Sequence, residues 1–507
     1  MGKTMTNFRM RIASGSAMMT ILLTGCMVGP KYHAPPATVT APPVEYKESP
    51  TQFKETDGWK VAQPQDALLH GKWWEIYNDP ELNALEEKLN IDNQNIKEFF
   101  ENFLEARTLV AQARSQLYPT VGVSLSYSAA RTSTNLSNSP SANPGRVASI
   151  GSLPATVSWE PDLWGKVRNT IHEQQYNAQL SAADLENEKL TEQASLAEFF
   201  YEIRGQDALQ KLLDETVEVD KKALELTRAR YETGVDTRIS VAEAEATLAQ
   251  VQSQAQNLGV ARAQFEHAIA VLVGANPSQF SIPVKPLLTN APVVPLGMPS
   301  ALLERRPDIA AAERKMAAAN AQIGIAYAAY YPSLSLSASY GYESTNFSHF
   351  FDLPSRFWSV GPSLSETVYD GGLRRATVNQ FITTYNADVA SYRQTVLTAF
   401  QQVEDSLASV RILSQQILKQ EQAVKSSQEV LELETARYQT GVDPYLDVVT
   451  AQTTLLSNQQ TLANLHVQEM TASVQLVEAL GGGWDRTQLP TPPDVSKKLD
   501  KSETAIQ

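Results

Sequence analysis

Serine and apolar residues alternate without interruption through Ser333-Leu334-Ser335-Leu336-Ser337-Ala338-Ser339-Tyr340. A period of two over this length predicts a strand with one apolar and one polar face. The same alternation runs through Val121, Val123, Leu125 and Tyr127 against Gly122, Ser124, Ser126 and Ser128. Further alternating segments follow at 153–160 and 357–369, after polar loops at 131–152 and 343–355. The prediction is two hairpins, 117–161 and 331–369, and four strands in all. A soluble sandwich strand would read similarly, but the length and the small polar alternate face favour a transmembrane barrel. Four strands leave open edges that lipid does not tolerate, so the chain must oligomerise. Two copies give eight strands with a filled interior; three give twelve, enough for a lumen.

After each hairpin the period changes. Neither 166–231 nor 374–438 contains a proline, and each segment would reach roughly 100 Å as a helix. A helix is also predicted over 305–330, broken at Pro332. Returning segments carry heptads. Val241, Leu248, Ala255 and Ile269 form one set, with Ala244, Val251, Leu258, Phe265 and Leu272 beside it. Val448, Leu455, Leu462 and Leu476, with Ala451, Leu465, Ala472 and Ala479, form the other. Such repeats make helices coil about neighbours. Arg262 and Glu469 interrupt the seams at equivalent positions and read as two tolerated surface charges rather than a designed pair. The body is one unit written twice: ARYETGVDTRISVA at 229–242 returns as ARYQTGVDPYLDVV at 436–449, 207 residues on. A period this long marks a duplicated half-molecule rather than a solenoid.

Composition narrows the function. The 507 residues are 42% hydrophobic and carry a net charge of −14, which disfavours a nucleic-acid partner. No apolar run is long enough for a spanning helix. The six histidines are scattered, and neither a metal-binding HExxH nor a phosphate loop occurs, so no enzyme, cofactor or metal site is predicted. The single cysteine explains itself at the start of the chain. A basic segment with Lys3, Arg9 and Arg11 leads to a short apolar stretch and then Leu23-Thr24-Gly25-Cys26. This resembles a bacterial lipobox, with residues 1–25 removed and Cys26 lipidated; the alternative is an ordinary signal peptide with an incidental cysteine. In such lipoproteins, Met27 after the cysteine implies delivery to the outer membrane. Prolines at 30, 35, 36, 42, 43 and 50 predict an extended strap over 26–58. The two structural repeats then occupy 59–282 and 283–488, and the Pro- and Lys-rich tail 489–507 reads as disordered.

LTGC followed by VGPKY, Trp73-Trp74 in KWWEIYNDPELNAL, RRPDIAAAERKMAAANAQIGIAYAAYYPSLSLSASYG and the paired ARY-x-TGVD segments together resemble the outer membrane factor family of efflux channels, over nearly the whole mature chain. The resemblance implies a mainly α fold with a transmembrane β-barrel: a homotrimer with a twelve-stranded barrel continued by a twelve-helix periplasmic α-barrel. It implies a passive exit duct across outer membrane and periplasm for drugs or other small toxic compounds. The partners would be a periplasmic adaptor and an inner membrane pump, of RND type rather than ABC type. A duct for type I protein secretion is the rival, since the same family serves it. Family features fall on Thr233, Gly234, Val235, Thr440, Gly441 and Val442 as adaptor-docking turns, although glycine is also what a tight turn needs. Asp447 matches an acidic constriction ring and Tyr438 a tyrosine that keeps the tip closed. Asp443 is the weaker gate residue, because an aspartate before Pro444 serves equally as a helix N-cap. The barrel-to-helix junctions, DLWGKVR and YDGGLRR, depart slightly from the family pattern, and Glu366 replaces an expected apolar residue.

Overall fold

The computed structural model describes residues 27–38, 46–47, 71–131, 133–135, 147–287, 291–294 and 302–498. Cys26, the leader at 1–25 and most of the strap beyond residue 38 lie outside them. The first repeat runs α1 (Pro80–Asp92), α2 (Gln94–Ser115), β1 (Thr120–Val123), β2 (Ser126–Arg131), β3 (Val147–Trp159), α3 (Lys166–Glu232) and α4 (Arg238–Leu272). The second runs α5 (Leu302–Arg305), α6 (Pro307–Ala328), β4 (Ser333–Ser344), β5 (Arg356–Ser365), α7 (Leu373–Gln439) and α8 (Tyr445–Ala479). The duplication extends to element length: α3 and α7 have 67 residues each, and α4 and α8 have 35 each.

β1 and β2 both pair with the same side of β3, bridged where the Ser124 N–H donates to the Pro154 carbonyl at 3.2 Å. They form one interrupted strand, which makes four strands in an antiparallel meander. Residues directly opposite one another in such a sheet share a face. Val121, Val157, Ala338 and Val360 stand in one such row, and Thr120, Ser158, Ser337 and Gly361 in the next. One face is therefore apolar and one polar. The apolar side chains lie open: Val121 is 68% and Trp358 75% exposed. On the polar face the hydroxyls of Ser339 and Ser359 are 2.8 Å apart. The outer edges, at β1/β2 and at β5, have no strand partner among the described residues.

Each long helix begins after a glycine in the left-handed region, Gly165 and Gly372, and an aspartate fills its first turn. Asp162 accepts the Val167 and Arg168 N–H groups at 3.2 and 2.9 Å; Asp370 accepts those of Gly372 and Arg374 at 2.9 and 3.2 Å. These N–H groups have no helical partner, and the dipole there favours negative charge. Arg168 and Arg374 then hold the aspartates through Nε at 3.0 and 2.7 Å. The two junctions thus keep Asp, Gly and Arg, the parts that work, and vary between them. Glu366 follows the last residue of β5 and reaches Arg374 at 3.6 Å, so the charge sits outside the sheet.

The two signature motifs far apart in the chain meet each other. The strap crosses α6 where Gly29 lies on Gly324; a Cβ on Gly29 would stand 2.6 Å from the Gly324 Cα. Asn320 Nδ2 donates to the Pro30 carbonyl at 3.0 Å and the Tyr32 hydroxyl to Glu313 Oε1 at 2.5 Å. VGPKY and the AAANAQIG run are two halves of one contact. The main core, around Trp73, Leu82, Leu89, Phe200 and Ile269, packs the start of the first repeat on the middle of the long helices.

Two expectations need correction. Arg262 is no surface charge: it donates to Asp207 at 2.7 Å and to the Ile282 carbonyl at 2.8 Å, tying the chain after α4 to α3. An arginine interrupts the heptad there because Asp207, with 2% of its surface exposed, demands a partner. The tail is also ordered from 489 to 498. Gln179 donates to the Pro490 carbonyl at 2.8 Å, Arg114 to that of Ser496 at 3.0 Å, and Val495 is buried in the short helix α9 (Pro492–Val495).

Candidate functional site at the hairpin tips

The turns that join α3 to α4 and α7 to α8 match atom for atom. Gly234 and Gly441 both have φ of 76°, a conformation that side chains with a Cβ resist. The Thr233 hydroxyl donates to the carbonyls of Ala229 and Arg230; the Thr440 hydroxyl donates to those of Ala436 and Arg437. The Val235 and Val442 N–H groups return to the Arg230 and Arg437 carbonyls at 2.9 and 3.0 Å. These bonds close the C-terminal carbonyls of each helix. The two valines point out, 65% and 66% exposed, and nothing lies within 4 Å of a Cβ built on either glycine. Each turn therefore presents a small, apolar, open surface.

The aspartates that follow are used differently. Asp443 is held by Arg437, whose Nη2 stands 3.0 Å from Oδ1, and the pair draws the carboxyl below its usual range. It does not cap α8: the N-cap is Pro444, with no side-chain bond. Arg437 takes the carboxylate that a cap would need. Asp236 instead accepts the hydroxyl of Tyr438 from the other hairpin at 2.5 Å. Arg230 lies 3.6 Å from Asp236, and its guanidinium sits 4.7 Å over the Tyr438 ring. Partial burial works upward on the Asp236 carboxyl. Bonds from Tyr438, Ser240 and the Thr237 N–H, with the charge of Arg230, outweigh it and hold the pKa below the usual value.

Tyr438 itself is 4% exposed and packs on Tyr445, ring centres 5.2 Å apart, in a cluster with Leu224, Val241, Ala244 and Val448. The hairpins of one chain are thus joined near their tips by a part-buried, charge-assisted hydrogen bond beside an apolar cluster. Its counterpart in the first repeat, Tyr231, is 45% exposed and makes no such link. Asp447 lies exposed in the first turn of α8, and Glu434, Asp443 and Asp447 each place one carboxylate oxygen within 4.8 Å of the others. At the matching position of the first repeat Ser240 is a buried polar residue within the cap of α4.

The structure brings Tyr438 together with three residues that the sequence reading did not single out: Asp236, Arg230 and Tyr445. A signal was present. The aspartate and arginine occur in both ARY-x-TGVD copies, whereas position 445 holds tyrosine where the first copy has Arg238.

Residues 91–275 and 298–482 each match the family described as Outer membrane efflux protein, one match per repeat. Among curated relatives, the antibiotic efflux pump outer membrane protein ArpC of Pseudomonas putida is 31% identical over 473 residues, 92% of this chain and 95% of that protein. Outer membrane protein OprJ of Pseudomonas aeruginosa is 31% identical over 484 residues, 93% and 96% of the two chains. Among solved structures, the outer-membrane channel OprN superposes with a TM-score of 0.81 at 26% identity, covering 90% of this chain and all of that one. VceC of Vibrio cholerae gives 0.74 at 29% identity, covering 82% and 99%.

Proposed function

The chain belongs to the outer membrane efflux protein family, and from that premise we propose that it works as the trimeric, passive exit duct of a tripartite efflux system. It is an outer membrane component of an efflux pump, extending into the periplasm; the protein-secretion alternative is not favoured by its relatives. The observation that carries the trimeric reading is the four-stranded sheet with one apolar face and two open edges. Three copies close the edges into twelve strands with the apolar face toward lipid and the serine face toward a lumen. The long helices, about 100 Å each, would continue that lumen as a twelve-helix wall. Chemical cross-linking of membranes should arrest at trimer, and a ladder ending at dimer would overturn the twelve-strand arithmetic.

The remaining assignments rest on that duct. Cys26 serves as the lipid anchor in this reading, and Met27, the next residue, lies against Gly165 at the junction of sheet and helices. The open Thr-Gly-Val turns receive the adaptor, behind which stands an inner membrane pump of RND type. The Tyr438–Asp236 bond holds the tips together in the resting duct. Three copies of Asp447 would form a ring of like charge that favours cations and repels anions. No catalytic residue is assigned, since conduction needs none.

A further inference from the structure

Above the tip cluster, the two helix pairs of one chain part around a cavity of about 600 Å³, lined by all four of α3, α4, α7 and α8. Leu431 and Val449 on its lower side also pack on the cluster around Tyr438 and Tyr445. Val251 and Leu456 on its upper side belong to the next cluster toward the membrane, with Leu213 and Ala255. The space is therefore enclosed above and below by contacts that join the hairpins.

Its polar residues are unbalanced. Asp220 is 4% exposed, and its Oδ2 has no hydrogen-bond partner. Gln452, facing the cavity from α8, has a buried Oε1 that is also without one. Among the described residues, no lysine or arginine lines the space. Burial alone pushes the Asp220 carboxyl up to about 6, with no neighbouring cation to offset it. When ionised, that group lacks a counter-charge, a costly arrangement for a buried carboxylate.

Two buried acceptors, one of them anionic, beside leucine and valine side chains define the ligand they would take. It must donate hydrogen bonds, carry positive charge and have an apolar body. We infer that the cavity between the helix pairs binds a small organic ammonium ion, its N–H groups donated to Asp220 Oδ2 and Gln452 Oε1 and its hydrocarbon laid on Leu212, Val251, Leu455 and Leu456. The site lies within one chain, between two pairs of helices, and requires neither partner nor transport. Its failure would leave the duct assignment untouched.

The test uses the full-length protein purified in detergent and two probes of matched shape, 4-phenylbutylamine and 4-phenylbutan-1-ol, titrated calorimetrically at pH 7.5. The amine should bind at least tenfold more tightly than the alcohol. Asp220→Asn, which keeps the shape, should erase that preference by weakening the amine about tenfold and leaving the alcohol unchanged. Gln452→Met, the second variant, should weaken the amine several-fold even if the first variant assembles poorly. Equal affinity of the two probes for the native protein would overturn the site. So would amine affinity that survives both substitutions.

Discussion

Replacing Tyr438 with phenylalanine removes one oxygen from the link between the hairpins and little else. The ring stays, so the guanidinium of Arg230 at 4.7 Å and the Tyr445 ring at 5.2 Å keep their partner. What disappears is the 2.5 Å bond to Asp236 and the longer, 3.5 Å contact with the Thr227 hydroxyl, which keeps its bond to the Ala223 carbonyl. A hydrogen bond to a charged group contributes about 1.5–3 kcal/mol. Asp236 retains the Thr237 N–H at 2.9 Å and Arg230 at 3.6 Å, so it is not stranded, and the lower end applies. About 1.5 kcal/mol is roughly a tenfold shift toward the parted tip in each chain. If three chains part together, the shifts multiply to roughly a thousandfold. Single-channel recording in planar bilayers reads this as raised mean conductance and longer open times.

The same bond sets a pH dependence. Asp236 is held below the ordinary carboxylate pKa, so the stability it gives is whole above about 3.9 and is lost as pH falls through its lower folded value. Native conductance should stay flat down to about pH 4 and rise below it. In the phenylalanine variant the bond is already absent, so this rise on acidification should be lost. Asp236→Asn should open the channel too, and combining it with Tyr438→Phe should add little, because both remove one interaction. Unchanged conductance in Tyr438→Phe, or full additivity in the double variant, refutes the lock.

Three other outcomes are expected. Cys26→Ser should abolish metabolic labelling with palmitate while trimers still reach the outer membrane, since the strands supply most of the insertion energy and acyl chains add to it; label on the variant would place the lipid elsewhere. Gly441→Leu meets no neighbour within 4 Å but forces a Cβ into the left-handed region at about 1–2 kcal/mol, so trimers should persist while drug efflux falls to the level of a deletion strain; normal resistance would detach this turn from the adaptor. Asp447→Ala should reduce cation selectivity and divalent block, measured as reversal potential in a salt gradient, and native values in the variant would remove it from the constriction.

Features that depend on one segment's own pattern are legible in the chain. The serine alternation from Ser333 to Tyr340 marks where β4 begins and most of its length, four residues short of its end at Ser344, because a strand with two different faces must write both in sequence. The proline-free spans predict α3 and α7 closely for a similar reason: a helix needs an unbroken run of N–H donors. Partnerships across the duplication are not legible in this way. Asp236 and Tyr438 stand 202 residues apart, and nothing local in TGVD distinguishes the aspartate that crosses to the other hairpin from the one held by its own Arg437. Arg262 misleads on the same ground, since only its distant partner Asp207 turns an interruption of the seam into a tie. The tail misleads because proline and lysine say little about order when the groove that receives them belongs to α2 and α3.

Paired helices of 67 and 35 residues, repeated without a difference of one, limit how such a chain can change length. Adding a single residue to one long helix turns everything beyond it by about 100° and lifts one tip past the other. The Tyr438 hydroxyl would then miss Asp236, and the heptad seam of that pair would face away from its neighbour. Insertions can survive only as matched events in both copies, by whole turns, or where the copies already differ. They differ between the paired strands: 15 residues separate Arg131 from Val147, but 11 separate Ser344 from Arg356. Length variation in proteins of this design should therefore gather in the loops between paired strands, while the long helices keep their measure.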